Sequence, residues 1–177
     1  MKYSADIISF WFANQSKWFS KSDQFDDLLK KKFLNAYNEY LNTSYRKEEL
    51  DIREILALII LFDQFPRNMF RDQSSSYDTD GLALDLSFYV LENELEKVLT
   101  EEEKRFIYMP LMHSEDLILQ KKCVSLFKEL GHDLAIKSAI EHYKIIEKFG
   151  RFPHRNNILS RKSTPEEIKF LESFDSF

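Results

Sequence analysis

An all-α fold follows from three features of the 177-residue sequence. Apolar residues recur at helical spacing, no segment sustains a two-residue alternation, and caps, glycines and prolines divide the chain into stretches of helix length. Helices of this size joined by short loops predict an antiparallel array with neighbours stacked in pairs. The length fits a single helical domain over residues 1–177, long enough to bury a substantial core.

The first helix is short and apolar, carried by Ile7, Ile8, Phe10, Trp11 and Phe12, with Trp18 and Phe19 across a turn. Ser22 or Asp23 caps a long amphipathic helix with Phe25, Leu28, Leu29, Phe33, Ala36, Tyr37, Tyr40 and Leu41 on its apolar stripe. A third helix is expected from about Lys47 to Gln64, ended by Pro66, which then opens a short helical turn through Phe70. Asp78 or Asp80 caps the next helix, from Gly81 to about Leu91. Thr100-x-x-Glu103 is a capping box for a helix that reaches Tyr108 before Pro110. Ser114 caps a helix from Glu115 to Leu130, with Leu117, Val124 and Phe127 as its stripe. Gly131 and Gly150 suit the left-handed position after a helix, and bracket one running from about Asp133 to Phe149. Thr164-Pro165-Glu166-Glu167 starts a last helix through Leu171.

Composition excludes several function classes. With 44% hydrophobic and 15% aromatic residues, 16 of them Phe, most of the chain has to pack into a core. A net charge of −5 argues against a non-specific nucleic-acid binder, which needs a basic face. The longest strongly apolar run, Ile55 to Phe62, falls far short of the roughly 18 residues of a membrane span. The N-terminus does not read as a signal peptide. Cys123 is the only cysteine, so no internal disulfide forms, and a reducing, cytoplasmic setting is expected. Three glycines leave no Gly-rich phosphate loop.

Two stretches repeat one another weakly: Phe62 to Arg71 (FDQFPRNMFR) and Phe149 to Arg161 (FGRFPHRNNILSR). An offset of 87 carries Phe62 onto Phe149 and Phe65-Pro66 onto Phe152-Pro153. One inserted residue, His154, then aligns Arg67-Asn68 with Arg155-Asn156. They suggest two helix-turn units placed equivalently; no tetratricopeptide sequence repeat is legible. Between them lies a third polar stretch, His113-Ser114-Glu115-Asp116.

These stretches, with Pro110 to Asp116, His142 to Asn156 and Ser163 to Glu167, resemble the bacterial domain-of-unknown-function family 924. The opening Phe10-Trp11-Phe12 and Trp18-Phe19 are similar too. Ala13 stands where that family's usual glycine would be, and the loop after it is short. The resemblance covers nearly the whole chain. It implies an all-helical, tetratricopeptide-like fold without obvious sequence repeats, and no established activity.

The polar residues define the candidate site. Asp63, at the end of an apolar helix, is expected at the rim of the core and needs a partner; Arg67 or Arg71 supplies one, as a clamp on the Phe-Pro turn or as a group presented to an anion. Asn68 belongs to the same turn. His113 and Glu115, with His142, are candidate proton-transfer groups. Ser114, Glu115 and Asp116 fit a helix start by capping and dipole alone, whereas His113 is not needed for it. Arg151, His154, Arg155 and Asn156 follow Gly150, and backbone N–H groups near His154 and Arg155 would complete an anion site. Spacing matches no strong zinc motif, so no metal ligand set and no cofactor is assigned. Cys123 reads as a structural thiol. The leading expectation is a binding module for a small anionic ligand or peptide. The alternatives are a hydrolase or lyase using the same His and carboxylate groups, and a polar network that only fixes the fold.

Overall fold

Residues 1–174 are described by a computed structural model. The described residues are all-α, with no strand. They form two compact units, Met1–Pro110 and Leu111–Phe177.

The first unit contains α1 (Ser4–Ala13), α2 (Asp23–Asn42), α3 (Ile52–Ile59), α4 (Phe65–Met69), α5 (Asp80–Glu92) and most of α6 (Glu101–Met112). Ser22 caps α2 by accepting from the Phe25 N–H. The buried stripe of α2 is Phe25, Leu29, Phe33, Ala36, Tyr37 and Tyr40; Leu28 and Leu41, which the sequence places on the stripe, fall outside it and are exposed. Trp11 stacks on Trp18, whose ring meets Phe106 at 4.7 Å, and Phe65 closes on Trp11 at 5.5 Å. Burying rings of this size is the main stabilising term of the unit.

The expected single helix from Lys47 to Gln64 is broken at both ends. Lys47–Glu49 is a separate 3-10 turn, and Asp51 starts α3 through a capping box with Glu54. After Ile59 the helix widens into a π-turn, Ile60–Gln64, in which the Phe65 N–H reaches back to the Ile60 carbonyl. Pro66 therefore does not end the helical path. It opens α4, and the missing N–H of Pro66 leaves the Phe62 carbonyl, four residues earlier, without its helical donor. The Thr79 hydroxyl donates to that carbonyl at 2.7 Å, and Arg67 Nη1 donates to the next carbonyl, that of Asp63. Thr79 is thus the residue before α5, in place of the expected Asp78 or Asp80 cap, and its side chain makes no capping bond. Thr79→Val should strand a buried carbonyl at a cost of about 1–3 kcal/mol, read as a melting temperature several degrees lower in calorimetry.

Helix α6 starts at the predicted capping box, with Thr100 Oγ1 accepting from the Glu103 N–H. It runs through Pro110 to Met112, past the predicted end at Tyr108. Phe106, Ile107 and Leu111 are fully buried, at roughly 1.5–3 kcal/mol each. Burial on this scale offsets the proline's cost of about 3 kcal/mol.

The second unit is organised on a helical hairpin, α7 (Leu117–Leu130) and α8 (Asp133–Phe149), joined by Gly131 and His132. Gly131 (φ 77°) and Gly150 (φ 67°) take the left-handed positions predicted for them. Asp116, rather than Ser114, caps α7, accepting from the Ile118 and Leu119 N–H groups. The buried stripe of α7 is Gln120, Cys123 and Phe127; Leu117 is exposed and Val124 half-buried. Ile145, Ile146 and Phe152 form a core that Phe149, Phe170 and Phe174 flank. The final helix, α9 (Pro165–Leu171), carries the predicted Thr164–Glu167 capping box.

Candidate functional site

The predicted polar residues fall into two groups, one in each unit. In the first unit Asp63 is fully buried, inside the core rather than at its rim. The π-turn carries it there, with Gln64 Nε2 donating to its carboxylate. Arg67 meets the Asp63 carboxylate at 3.5 Å and grips Asp80 with both terminal nitrogens, at 2.9 and 3.0 Å. Burial pushes the guanidinium pKa down, but the Asp63 and Asp80 carboxylates outweigh it and raise the value above its ordinary level. Arg71 makes a two-pronged contact with Asp26, at 2.6 and 3.0 Å, and Asn68 Nδ2 donates to the same carboxylate at 2.7 Å. Asp26 and Asp80 were outside the predicted site. Their signal was present in the sequence as acids in the first turns of their helices.

The two sequence copies diverge where Asp63 aligns with Gly150. The first copy stays helical there; in the second, Gly150 takes a positive φ and ends α8. After it, Phe152 is extended and Pro153–Arg155 is a 3-10 turn. Its i to i+3 bonding engages the Arg155 N–H with the Phe152 carbonyl at 3.1 Å. That backbone donor is therefore not open to an anion as the sequence suggested.

Around this turn the second unit gathers most of its predicted residues. Glu115 accepts two bonds from Arg161, at 2.6 and 2.9 Å, and one from the Phe152 N–H at 2.8 Å. Burial raises the Glu115 pKa, but Arg161 and the Phe152 N–H outweigh this and hold it below the usual carboxylate range. Arg161 also donates to the Phe152 carbonyl and to Asn156 Oδ1, both at 3.0 Å, and Asn156 Nδ2 donates to Ser163 at 3.1 Å. Arg151 grips Glu167 at 2.7 and 2.8 Å, and this contact pushes the Glu167 pKa down to about 2. Arg161, Ser163 and Glu167 complete a network whose partners sequence reasoning had not assigned.

Phe152, with no exposed surface, is the centre of the remaining group. The His142 ring meets it edge-on at 5.5 Å, the His154 ring lies at 5.5 Å, and the Arg155 guanidinium sits 4.5 Å over it. His113 is 6.2 Å from His142, ring to ring. His142 Nδ1 lies 2.8 Å from the Ser138 carbonyl. A carbonyl only accepts, so Nδ1 carries the proton and Nε2 is the acceptor of the neutral ring. Burial, then His113, Arg155 and His154, hold the His142 pKa well below its ordinary value. Burial and Arg155 push His154 down to about 4, Arg161 and His113 adding to this and Glu115 opposing it. Burial, with the nearby guanidinium adding to it, keeps both imidazoles neutral at pH 7. His132, the fourth histidine, lies apart as the cap of α8. Cys123 is buried, and burial pushes its thiol pKa up. Among the described residues no three His, Cys, Asp or Glu side chains are grouped to hold a metal, and no helix is long and apolar enough to cross a membrane.

Fold and polar clusters together define an all-helical protein with a histidine–arginine cluster in its C-terminal unit. Residues 7–175 match the family described as "Bacterial protein of unknown function (DUF924)", and the chain belongs to that family. A solved structure of a protein of unknown function from Agrobacterium tumefaciens is 37% identical to it, with 98% of each chain covered and a TM-score of 0.88. No curated protein matches.

Proposed function

We propose that this protein is a binding module for a small anion, phosphate or carboxylate, held by His113, His142, His154 and Arg155 around Phe152. The observation that carries the reading is the convergence of His142, His154 and the buried Arg155 on a single buried ring, with His113 6.2 Å from His142. Arg67, Arg71, Arg151 and Arg161 are each gripped by a carboxylate of their own unit. They support the fold on this reading, as do Asp63, Asn68, Glu115, Asp116 and Asn156. An arginine suits an anion, and an anion would offset the part of the histidine depression that comes from Arg155. His142, its Nδ1–H engaged with the Ser138 carbonyl, donates to the anion only after taking up a proton at Nε2. The low basicity of His142 favours hydrogen bonding over proton abstraction, and so binding over a hydrolase or lyase. The lone buried Cys123 supports a reducing, cytoplasmic setting.

The test is calorimetric titration with inorganic phosphate and acetate. Binding should tighten as pH falls from 8 to 6 and take up protons in buffers of different ionisation heat. Arg155→Ala should weaken it roughly 10- to 100-fold, the size of one charge-assisted bond, and His154→Asn should reduce the proton uptake. Absence of heat at millimolar anion with the native chain would sink the reading.

A further inference from the structure

We propose that Gln120 is the positioning residue that sets the His113 imidazole in place, an inference that rests on the anion-binding reading of the cluster. Gln120 is fully buried on the core stripe of α7, where Cys123 and Phe127 share its face. Its Nε2 donates to the Met112 carbonyl at 2.6 Å and to the Ser114 carbonyl at 2.7 Å, with the Leu111 carbonyl at 3.5 Å. Met112 and Ser114 flank His113 on either side. One carboxamide therefore fixes the peptide group before the histidine and the one after Ser114, bracketing His113 with both of its hydrogens.

This arrangement also ends α6 without a left-handed glycine. The last carbonyls of a helix lack helical donors, and a Gly beyond the end is the common solution. None of the left-handed backbone positions falls at the end of α6, and Gln120 supplies the donors from the next helix instead. The segment is fastened further by Glu115 on Arg161 and the Phe152 N–H, and by Ser114 Oγ accepting from the Asp116 N–H. A histidine can then stand where a helix end would otherwise call for glycine.

A second observation separates this role from plain stability. Gln120 Oε1 is buried and has no hydrogen-bond partner among the described residues. With Nε2 facing three carbonyls, the amide cannot be turned over to relieve it. A buried acceptor left unsatisfied lowers stability. The amide is held there for what its nitrogen fixes.

The experiment compares the His113 imidazole resonances of the full chain, wild type and Gln120→Met, through a pH titration by NMR. Methionine keeps the volume and removes both donors. The expected result is a folded, helical variant in which the His113 titration midpoint and ring shifts move while those of His132, the distant cap, do not. Phosphate affinity should fall about tenfold. Gln120→Glu, which retains one donor when protonated in this buried place, should give an intermediate His113 shift, and it serves as the readout if the methionine variant does not fold. A lower melting temperature with an unmoved His113 titration in the folded variant overturns the proposal. Failure of the wild type to bind phosphate overturns the anion reading alone, because the His113 resonances report the positioning independently.

Discussion

Glu115→Ala should lower the stability of the protein by about 2–3 kcal/mol, a melting temperature fall of roughly 5–10 °C for a chain of this size. The carboxylate joins three parts of the second unit: its own loop before α7, the Phe152 backbone and Arg161. Removing it leaves the Phe152 N–H without its acceptor and the guanidinium of Arg161 with, among the described residues, neutral oxygens alone, the Phe152 carbonyl and Asn156 Oδ1. Stranding a partly buried charge costs more than the intact pair contributes. Glu115→Gln keeps an acceptor and should fall between the two. Because the same carboxylate fixes the backbone that carries Phe152, phosphate titration of the alanine variant should also weaken. A change within about 0.5 kcal/mol, the size of a surface ion pair, would show instead that solvent already replaces this contact.

Acid should destabilise the protein in two separate steps. The folded pKa of His154 is about 4 against an ordinary 6.5, and that of His142 is lower than ordinary as well. The unfolded chain takes up protons below about pH 6.5 while the folded imidazoles remain neutral. Stability is therefore fully present above that value and is lost as pH falls towards 4. His154 contributes about 2–3 kcal/mol of this loss, with its partial exposure allowed for. The charged groups that set the window are Arg155, Arg161 and His113, which depress His154, and Glu115, which opposes them. A second step belongs to Glu115 and Glu167, whose folded values are lowered by Arg161 and Arg151 respectively. Their stabilisation is present above about pH 4.5 and is lost as pH falls towards 2 for Glu167. Urea unfolding at pH 7.5, 5.5 and 4 measures the first step, and His154→Asn should flatten it. A phosphate-bound protein should resist it, because an anion raises both histidine pKa values. Stability that holds level down to pH 5 would contradict the neutral, buried assignment.

Much of the helical framework was legible because its signals are local. Ser22, the Thr100–Glu103 and Thr164–Glu167 boxes, and the left-handed Gly131 and Gly150 act within a few residues of themselves. Local rules misread the prolines. Pro66 and Pro110 both sit within continuous helical paths because tertiary partners compensate: the Thr79 hydroxyl for the first, the burial of Phe106, Ile107 and Leu111 for the second. The Gln120 signal was present, since a polar residue on the Cys123–Phe127 face breaks the stripe. Its meaning was not, because its acceptors lie on another element.

What the sequence by itself determined was the fold class, several of the caps and the residue types of the polar clusters: periodicity and capping are short-range, and side-chain chemistry travels with the residue. The tertiary structure decided what each of those residues meets. Arg67 and Arg155 occupy equivalent places in the two copies, yet one is gripped by Asp80, seated on α5, and the other lies over Phe152 among histidines. Charge pairing depends on distance through space, and for Arg67 that partner came from a different helix, which no local pattern encodes.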